Sequence, residues 1–83
     1  MSPSAFYQVC YFGLLAERRG LSEEQLDSPA KNPAEIYEEI NAGHPFGMPT
    51  SDLRVAVNDE FVPWNHPLKD GDLVAFLPPM SGG

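Results

Sequence analysis

The residues whose types could carry chemistry are the last six of the chain, Pro78-Pro79-Met80-Ser81-Gly82-Gly83. Two prolines favour a stiff, extended exit from whatever precedes them, and two glycines can pass through a channel in which any Cβ would clash. A terminal carboxylate is a poor electrophile until it is adenylated, after which it can accept sulfur as a thiocarboxylate. Such a tail could deliver a reactive group into another protein's pocket. The alternative is an inert end, because chain termini are often poorly ordered.

The other reactive side chains are scattered along the chain. Cys10, His44 and His66 are potential metal ligands, but no two of them stand at ligand spacing. His66 precedes Pro67 in a turn, which favours a structural role. Cys10 is the single cysteine and has no basic neighbour in sequence to lower its pKa, so we expect it to be packed rather than reactive. We expect no metal site and no bound cofactor.

Length and charge narrow the classes of function. A chain of 83 residues is one domain with one modest core, which leaves little room for a walled active site and argues against a self-sufficient enzyme. A net charge of −7 disfavours nucleic acid and anionic membranes as partners and suits a protein with a basic surface. The absence of a long apolar run, of a signal-peptide pattern and of paired cysteines favours the cytoplasm.

The first half of the sequence predicts a strand, a short helix, an edge strand and a longer helix. The strand at 7–12 alternates, with Val9 and Tyr11 on one face and Cys10 and Phe12 on the other. A helix at 14–19 should stop at Gly20, and 22–27 reads as a short edge strand. The main helix is predicted at 33–42, ended by glycine 43. Its signals are an N-cap, an N1 proline and a capping-box acid, namely Asn32, Pro33 and Glu35. One helix face should be buried (Ile36, Tyr37 and Ile40) and the other should face water (Glu35, Glu38 and Glu39).

The second half predicts a loop followed by three strands. The loop covers 44–51, and strands are expected at 53–57, 61–64 and 73–77, separated by turns at 58–59 and 70–72. Pro63 cannot donate to a ladder, so the middle strand should lie at an edge or break there. Trp64 should partly fill the core. The order predicts an α+β, ubiquitin-like β-grasp domain over 1–77, with the first and last strands parallel at the sheet centre and a flexible tail at 78–83.

Several segments, in this order and spacing, resemble the MoaD-type sulfur carriers, which are the small subunits of molybdopterin synthase within the MoaD/ThiS family. They are Val55-Ala56-Val57-Asn58, His66-Pro67-Leu68, Asp70-Gly71-Asp72, Val74-Ala75-Phe76, Pro78-Pro79 and Ser81-Gly82-Gly83. Val9-Cys10-Tyr11-Phe12, with Glu17 and Gly20, fits the family's first strand and short helix. Ala16 stands where relatives often carry a basic or polar residue, which leaves the detail of partner contacts open.

The resemblance implies a reaction cycle centred on Gly83. A ubiquitin-activating-like adenylyltransferase would use ATP to adenylate it, and a sulfur donor protein would convert it to a thiocarboxylate. The carrier would then dock on the large, catalytic subunit of molybdopterin synthase, in a heterotetramer, and give sulfur to cyclic pyranopterin monophosphate to build the dithiolene of the molybdenum cofactor. It would be a sulfur-donating co-substrate, not a catalyst by itself.

The resemblance also implies a partner-binding patch formed by Phe12, Phe61 and Leu77, which match the family's apolar docking positions. Strand alternation independently turns Phe12 and Leu77 away from the core. The alternative is that they are core residues of a very small domain. We further expect the residues after Pro79 to be mobile in the free protein.

Three other functions stay open. The chain could carry sulfur for thiamine or another product, although such carriers are expected to lack the Pro-Pro segment. It could be a ubiquitin-like modifier joined to lysines, or a plain interaction domain with an inert tail.

Overall fold

The computed structural model describes residues 4–43 and 45–79. In chain order the elements are β1 (Ala5–Tyr11), α1 (Leu14–Arg19), β2 (Glu23–Ser28), α2 (Pro33–Gly43), a 3-10 turn (Thr50–Asp52), β3 (Arg54–Val57), β4 (Glu60–Phe61) and β5 (Leu73–Leu77). The sheet order is β2-β1-β5-β3-β4. β1 and β5 pair in parallel, and the other pairs are antiparallel. The expected mixed sheet with parallel first and last strands is confirmed.

Local signals explain the end of α1 and the start of α2. Gly20 ends α1 in the left-handed conformation (φ 86°), and its N–H donates to the carbonyl of Ala16. At the start of α2, the Asn32 side chain accepts from the Glu35 N–H at 2.9 Å. The Glu35 carboxylate in turn accepts from the Lys31 N–H at 2.7 Å, one residue earlier than in the usual capping box.

One apolar layer lies between α2 and the sheet. Alternate residues of β1, β3 and β5 point into it, with Ile36, Tyr37 and Ile40 from the helix, as predicted. Trp64 packs against this layer and stacks on Phe76, with 5.8 Å between ring centroids. No helix in the described ranges is long and apolar enough to cross a membrane.

The loop between α2 and β3 contributes a core residue that the sequence did not reveal. Phe46 is buried, its ring lies 5.5 Å from that of Tyr37, and its N–H donates to Asn41 at 2.7 Å. The Arg18 guanidinium donates to the Phe46 carbonyl, which joins α1 to the same loop. The segment was predicted to be a loop from its prolines and Gly47, and those signals do not show that one of its aromatic residues is buried.

Five elements have boundaries that differ from the sequence prediction. β1 covers 5–11 instead of 7–12, β3 begins one residue late, and α2 ends one residue late. β2 is displaced by one residue from 22–27, and β4 has two residues instead of the four expected at 61–64. Within β4, Glu60 and Phe61 pair with β3, and the chain leaves the sheet before Pro63. The expectations for His44 and for Met80 to Gly83 lie outside the described residues.

Candidate docking face and tail exit

The side of the sheet away from α2 is called here the outer face. Its residues alternate with the core residues, and register places four of them in one row across four strands. Cys10 pairs with Ala75, Ala75 with Ala56, and Ala56 with Phe61. The row is apolar, while both helices bury their apolar residues on the opposite side. The described fold therefore leaves this apolar row uncovered, although charged residues such as Glu23 and Arg54 share the outer face with it.

The three residues predicted to bind a partner all lie at one end of this face. Phe12 follows β1 and is 50% exposed, and Phe61 on β4 is 64% exposed. Leu77, the last residue of β5, is half-buried and pairs with Arg54 of β3. None of the three belongs to the buried core cluster, so the core alternative is wrong. Their binding of a partner stays a prediction.

The tail leaves the sheet beside these residues. β5 ends at Leu77, and Pro78 then packs against Gly13, where an added Cβ would lie 3.1 Å from the Pro78 ring. Gly13 also has a positive φ of 55° with ψ at −130°, a region that side chains rarely adopt. The β1–α1 connection therefore depends on a glycine to sit this close to the base of the tail. Sequence analysis did not single out Gly13, although its position between a strand and a helix was a usable signal.

An open groove of about 530 Å³ adjoins the tail base. Residues from the 3-10 turn, β3, β4 and the tail base line it: Ser51, Asp52, Leu53, Arg54, Phe61, Leu77, Pro78 and Pro79. The Arg54 guanidinium lies over the Phe61 ring, 5.6 Å from its centroid. Sequence analysis missed Arg54, although alternation in β3 places it outward once Val55 and Val57 are assigned to the core.

Three polar residues of the segments that carry the family resemblance, Asn58, Asp70 and Asp72, hold β5 in place. The Asn58 side chain accepts from the Leu73 N–H at 3.0 Å and donates to Asp72 at 3.0 Å. Asp70 accepts from the Phe6 N–H at 2.7 Å, which joins the turn before β5 to the start of β1. Asn58 has φ of 52°, a left-handed conformation that asparagine tolerates. These polar residues thus position the strand from which the tail emerges.

Cys10 and His66 show no arrangement for catalysis. Cys10 is half-buried on the outer face, and burial, followed by Glu23 and Asp59, raises the pKa of its thiol. A thiol whose pKa is raised is mostly protonated at neutral pH and is a weak nucleophile. The His66 N–H donates to the Pro63 carbonyl at 3.1 Å, as suits a turn. In the part of the chain that the structure describes, no group of three or more His, Cys, Asp or Glu residues could hold a metal ion.

Comparison with known proteins covers nearly the whole chain. A family model described as the ThiS family matches residues 9–83. The human molybdopterin synthase sulfur carrier subunit is 34% identical over an alignment that covers 100% of both chains. The subunit of the same name from Escherichia coli (strain K12) is 58% identical over 31 residues, a segment spanning 37% of this chain and 38% of the bacterial one.

Solved structures extend the same relationship. A putative molybdopterin converting factor, subunit 1, from Pyrococcus furiosus has a TM-score of 0.78 and 31% identity, covering 93% of this chain and 100% of that chain. A Helicobacter pylori protein solved as a complex of subunits 1 and 2 of molybdopterin-converting factor has a TM-score of 0.66 and 25% identity, covering 94% and 99%. A Caldiarchaeum subterraneum ubiquitin, at 15% identity and a TM-score of 0.61 over 96% and 99%, shares the fold. The ubiquitin-like β-grasp prediction is confirmed.

Proposed function

Because this chain belongs to the ThiS family, we propose that it is the sulfur carrier subunit of a molybdopterin synthase. The observation that carries the proposal is the alignment with the human subunit of that name, which covers both chains completely at 34% identity. The Pyrococcus relative supports the same assignment at 31% identity. The resemblance seen in the C-terminal motifs is thus matched by similarity along the whole domain.

The chemistry of the proposal lies at Gly83. Its carboxylate is adenylated by a ubiquitin-activating-like enzyme, which uses ATP and releases pyrophosphate. Sulfur delivered by a sulfur donor protein at the oxidation level of sulfide then attacks the acyl carbon and displaces AMP, which leaves a thiocarboxylate. The thiocarboxylate then gives its sulfur to cyclic pyranopterin monophosphate. A dithiolene contains two sulfur atoms, so two loaded carriers are consumed for each pterin. This domain binds no cofactor of its own in the cycle, because ATP is used by the activating enzyme.

The domain fixes the position at which the tail begins. β5 is hydrogen-bonded on both sides, to β1 and to β3, so the point at which the tail begins is fixed within the sheet. The apolar end of the outer face lies directly beside that point, with Phe12, Phe61 and Leu77 around the exit. Contiguous exposed apolar side chains commonly mark protein–protein interfaces. A partner that covers this end of the face would receive the tail in a defined direction.

The proposed partner is the large subunit of the synthase. Support comes from the Helicobacter pylori relative, which was solved as a complex of subunits 1 and 2. The large subunit would supply the pterin pocket, and the tail would enter it. A heterotetramer of two carriers and two large subunits would accommodate the two sulfur transfers.

The test removes the reactive end without touching the domain. Loss of Gly83 would leave the reactive carbon short by up to about 3.3–3.6 Å, whereas a misplacement of about 1 Å can lower a rate by about 100-fold. We expect the Gly83 deletion, and equally a variant with one residue added after Gly83, to abolish dithiolene formation from the pterin precursor while fold and docking persist. Chemically thiolated carrier is used so that the activating enzyme is not required.

The matched control is Cys10→Ser, which removes the only side-chain thiol and should leave transfer unchanged. If the Gly83 deletion still delivers sulfur and Cys10→Ser does not, the tail is not the carrier.

The intact mass after incubation with ATP, activating enzyme and a sulfide source separates a sulfur carrier from a protein modifier. A gain of sulfur supports a carrier, whereas isopeptide-linked lysine conjugates would identify a protein modifier.

A further inference from the structure

We propose that Arg54, at the groove beside the base of the tail, binds a carboxylate of the large subunit. The inference rests on the proposed function, because it specifies the chemistry of the partner at the same docking face. It concerns selection of the partner, not the sulfur chemistry. The apolar docking residues place no requirement on the charge of the partner. Arg54 would add one, because it requires a carboxylate.

The position of Arg54 is the first argument. It lies on β3 in register with Leu77, so it is adjacent to the residue from which the tail departs. It is exposed, and it lines the same groove as Phe61 and Pro78. A partner that covers the apolar end of the outer face therefore also covers Arg54.

The state of the guanidinium is the second argument. It lies over the Phe61 ring, 5.6 Å from the ring centroid, so an aromatic face restricts its position. Among residues 4–43 and 45–79, no carboxylate oxygen lies within 4.0 Å of it; the recorded ion pair is Arg19–Glu24, with N–O distances of 2.8 and 2.9 Å. The contact with the ring occupies none of the guanidinium N–H donors in a hydrogen bond, and their planar fork matches a carboxylate.

The energetics of docking supply the third argument. A charge that is enclosed without a partner loses its hydration at a large energetic penalty, and a bidentate carboxylate offsets that penalty. The chain carries twelve acidic and five basic residues, so a partner adapted to its overall charge would be basic. Arg54 is a local exception at the tail exit. An acidic group set within a basic partner surface would fit this face in one orientation only.

The groove offers one competing source for the carboxylate, because Asp52 also lines it. Asp52 lies on the exposed 3-10 turn and is not ion-paired with Arg54 in the described chain. Closure of Asp52 onto Arg54 during docking would neutralise the guanidinium without any acid from the partner. The two possibilities respond oppositely to Asp52→Asn. If Asp52 is the partner of Arg54, the substitution weakens docking; if the large subunit supplies the acid, the loss of a like charge leaves docking unchanged or tighter.

The experiment measures the dissociation constant of the full-length carrier with the purified large subunit from the same organism. Arg54→Leu should weaken binding by about 30-fold or more, the effect expected when one member of an enclosed charge pair is removed. Arg54→Glu should weaken it further, and Arg54→Lys should recover only part, because an ammonium group lacks the fork. Lys31→Glu makes the same charge change as Arg54→Glu beside α2, away from the outer face, and should have little effect.

The partner's acid is then located by changing each Asp and Glu of the large subunit's binding surface to the matching amide. The substitution at the correct acid should be non-additive with Arg54→Leu. The inference is overturned if Arg54→Leu binds within threefold of the wild type, if Asp52→Asn weakens binding as Arg54→Leu does, or if Arg54→Leu impairs only adenylation by the activating enzyme. Phe61→Asp distinguishes a failure of the Arg54 inference from a failure of the proposed docking on which it rests. If Phe61→Asp also leaves docking intact, the docking face itself is wrong.

Discussion

Replacing Phe61 with Asp should weaken docking to the large subunit by more than it weakens folding. Phe61 is 64% exposed, so about a third of its surface is already covered within the domain. A phenylalanine buries about 200 Å² when fully enclosed, so the covered part is roughly 70 Å² and contributes about 1.8 kcal/mol at 25 cal/mol per Å². Loss of the contact with Arg54 adds about 0.5–1 kcal/mol. Unfolding in urea should therefore become easier by about 2–3 kcal/mol.

The docking loss is larger because it involves the exposed part of the ring. If the large subunit covers the remaining surface of roughly 130 Å², that contact contributes about 3 kcal/mol, and an enclosed aspartate adds a further penalty. The dissociation constant should then rise by more than about 100-fold, since each 1.4 kcal/mol is a factor of ten. Titration calorimetry with the large subunit gives the dissociation constant, and urea unfolding of the free carrier gives the stability.

The control for this variant is Phe6→Asp. Phe6 is 60% exposed and lies on the outer face, in register with Asp27 of β2, but at the opposite end of β1 from the tail exit. The chemical change and the exposure are therefore matched. Phe6→Asp should leave docking nearly unchanged. Equal losses of affinity for the two variants would show that the docking end of the face has been assigned wrongly, and a Phe61→Asp variant that loses stability but not affinity would make Phe61 a fold residue.

Three further predictions concern single residues. Gly13→Ala should lower the free energy of unfolding by about 1–3 kcal/mol, because φ is 55° and the new Cβ would meet Pro78 at 3.1 Å; Gly43→Ala, with open space around it, should not. Cys10 should alkylate more slowly at pH 8 than a free thiol and speed up only at higher pH, because its pKa is raised by burial; equal rates would contradict this. Burial and a hydrogen bond to a carboxylate raise the pKa of Tyr11, so its contribution to stability is complete below about pH 10 and is lost as the pH rises further. In Tyr11→Phe, the free energy of unfolding in urea should decrease less steeply as the pH rises above about 10. An unchanged dependence on pH would refute this prediction.

The fold was predictable because its signals are local and agree with one another. The cap at Asn32, the stop at Gly20 and the alternation in β1 each specify an element without help from distant residues. The parallel pairing of β1 and β5 was predicted from the apolar run in β5, because such runs are typical of central parallel strands. The length of β4 was wrong because strand propensity at 61–64 does not reveal where the partner strand ends.

The site was only partly predictable. Phe12 and Leu77 could be placed on the outer face by alternation, since a strand turns successive side chains to opposite sides. The burial of Phe46 and the contact between Gly13 and Pro78 depend on residues that are far apart in sequence, so neither follows from a local pattern. Arg54 and Phe61 lie only seven residues apart, but their contact depends on the register of the hairpin between β3 and β4, which the turn residues do not specify.

The position of β5 explains how a domain with no enclosed active site in its described part can still define a reaction geometry. A strand hydrogen-bonded on both sides can shift only if two ladders break together, so Leu77 is a firm origin for the six residues that follow. Those six residues can span at most about 20–22 Å. The edge strands β2 and β4 are bonded on one side only, and variation there would not move the origin. The distance from Leu77 to Gly83 is limited by the number of residues between them. The length of the tail and the contacts of β5 therefore determine where the reactive carbon arrives. The partner provides the pocket in which that carbon reacts.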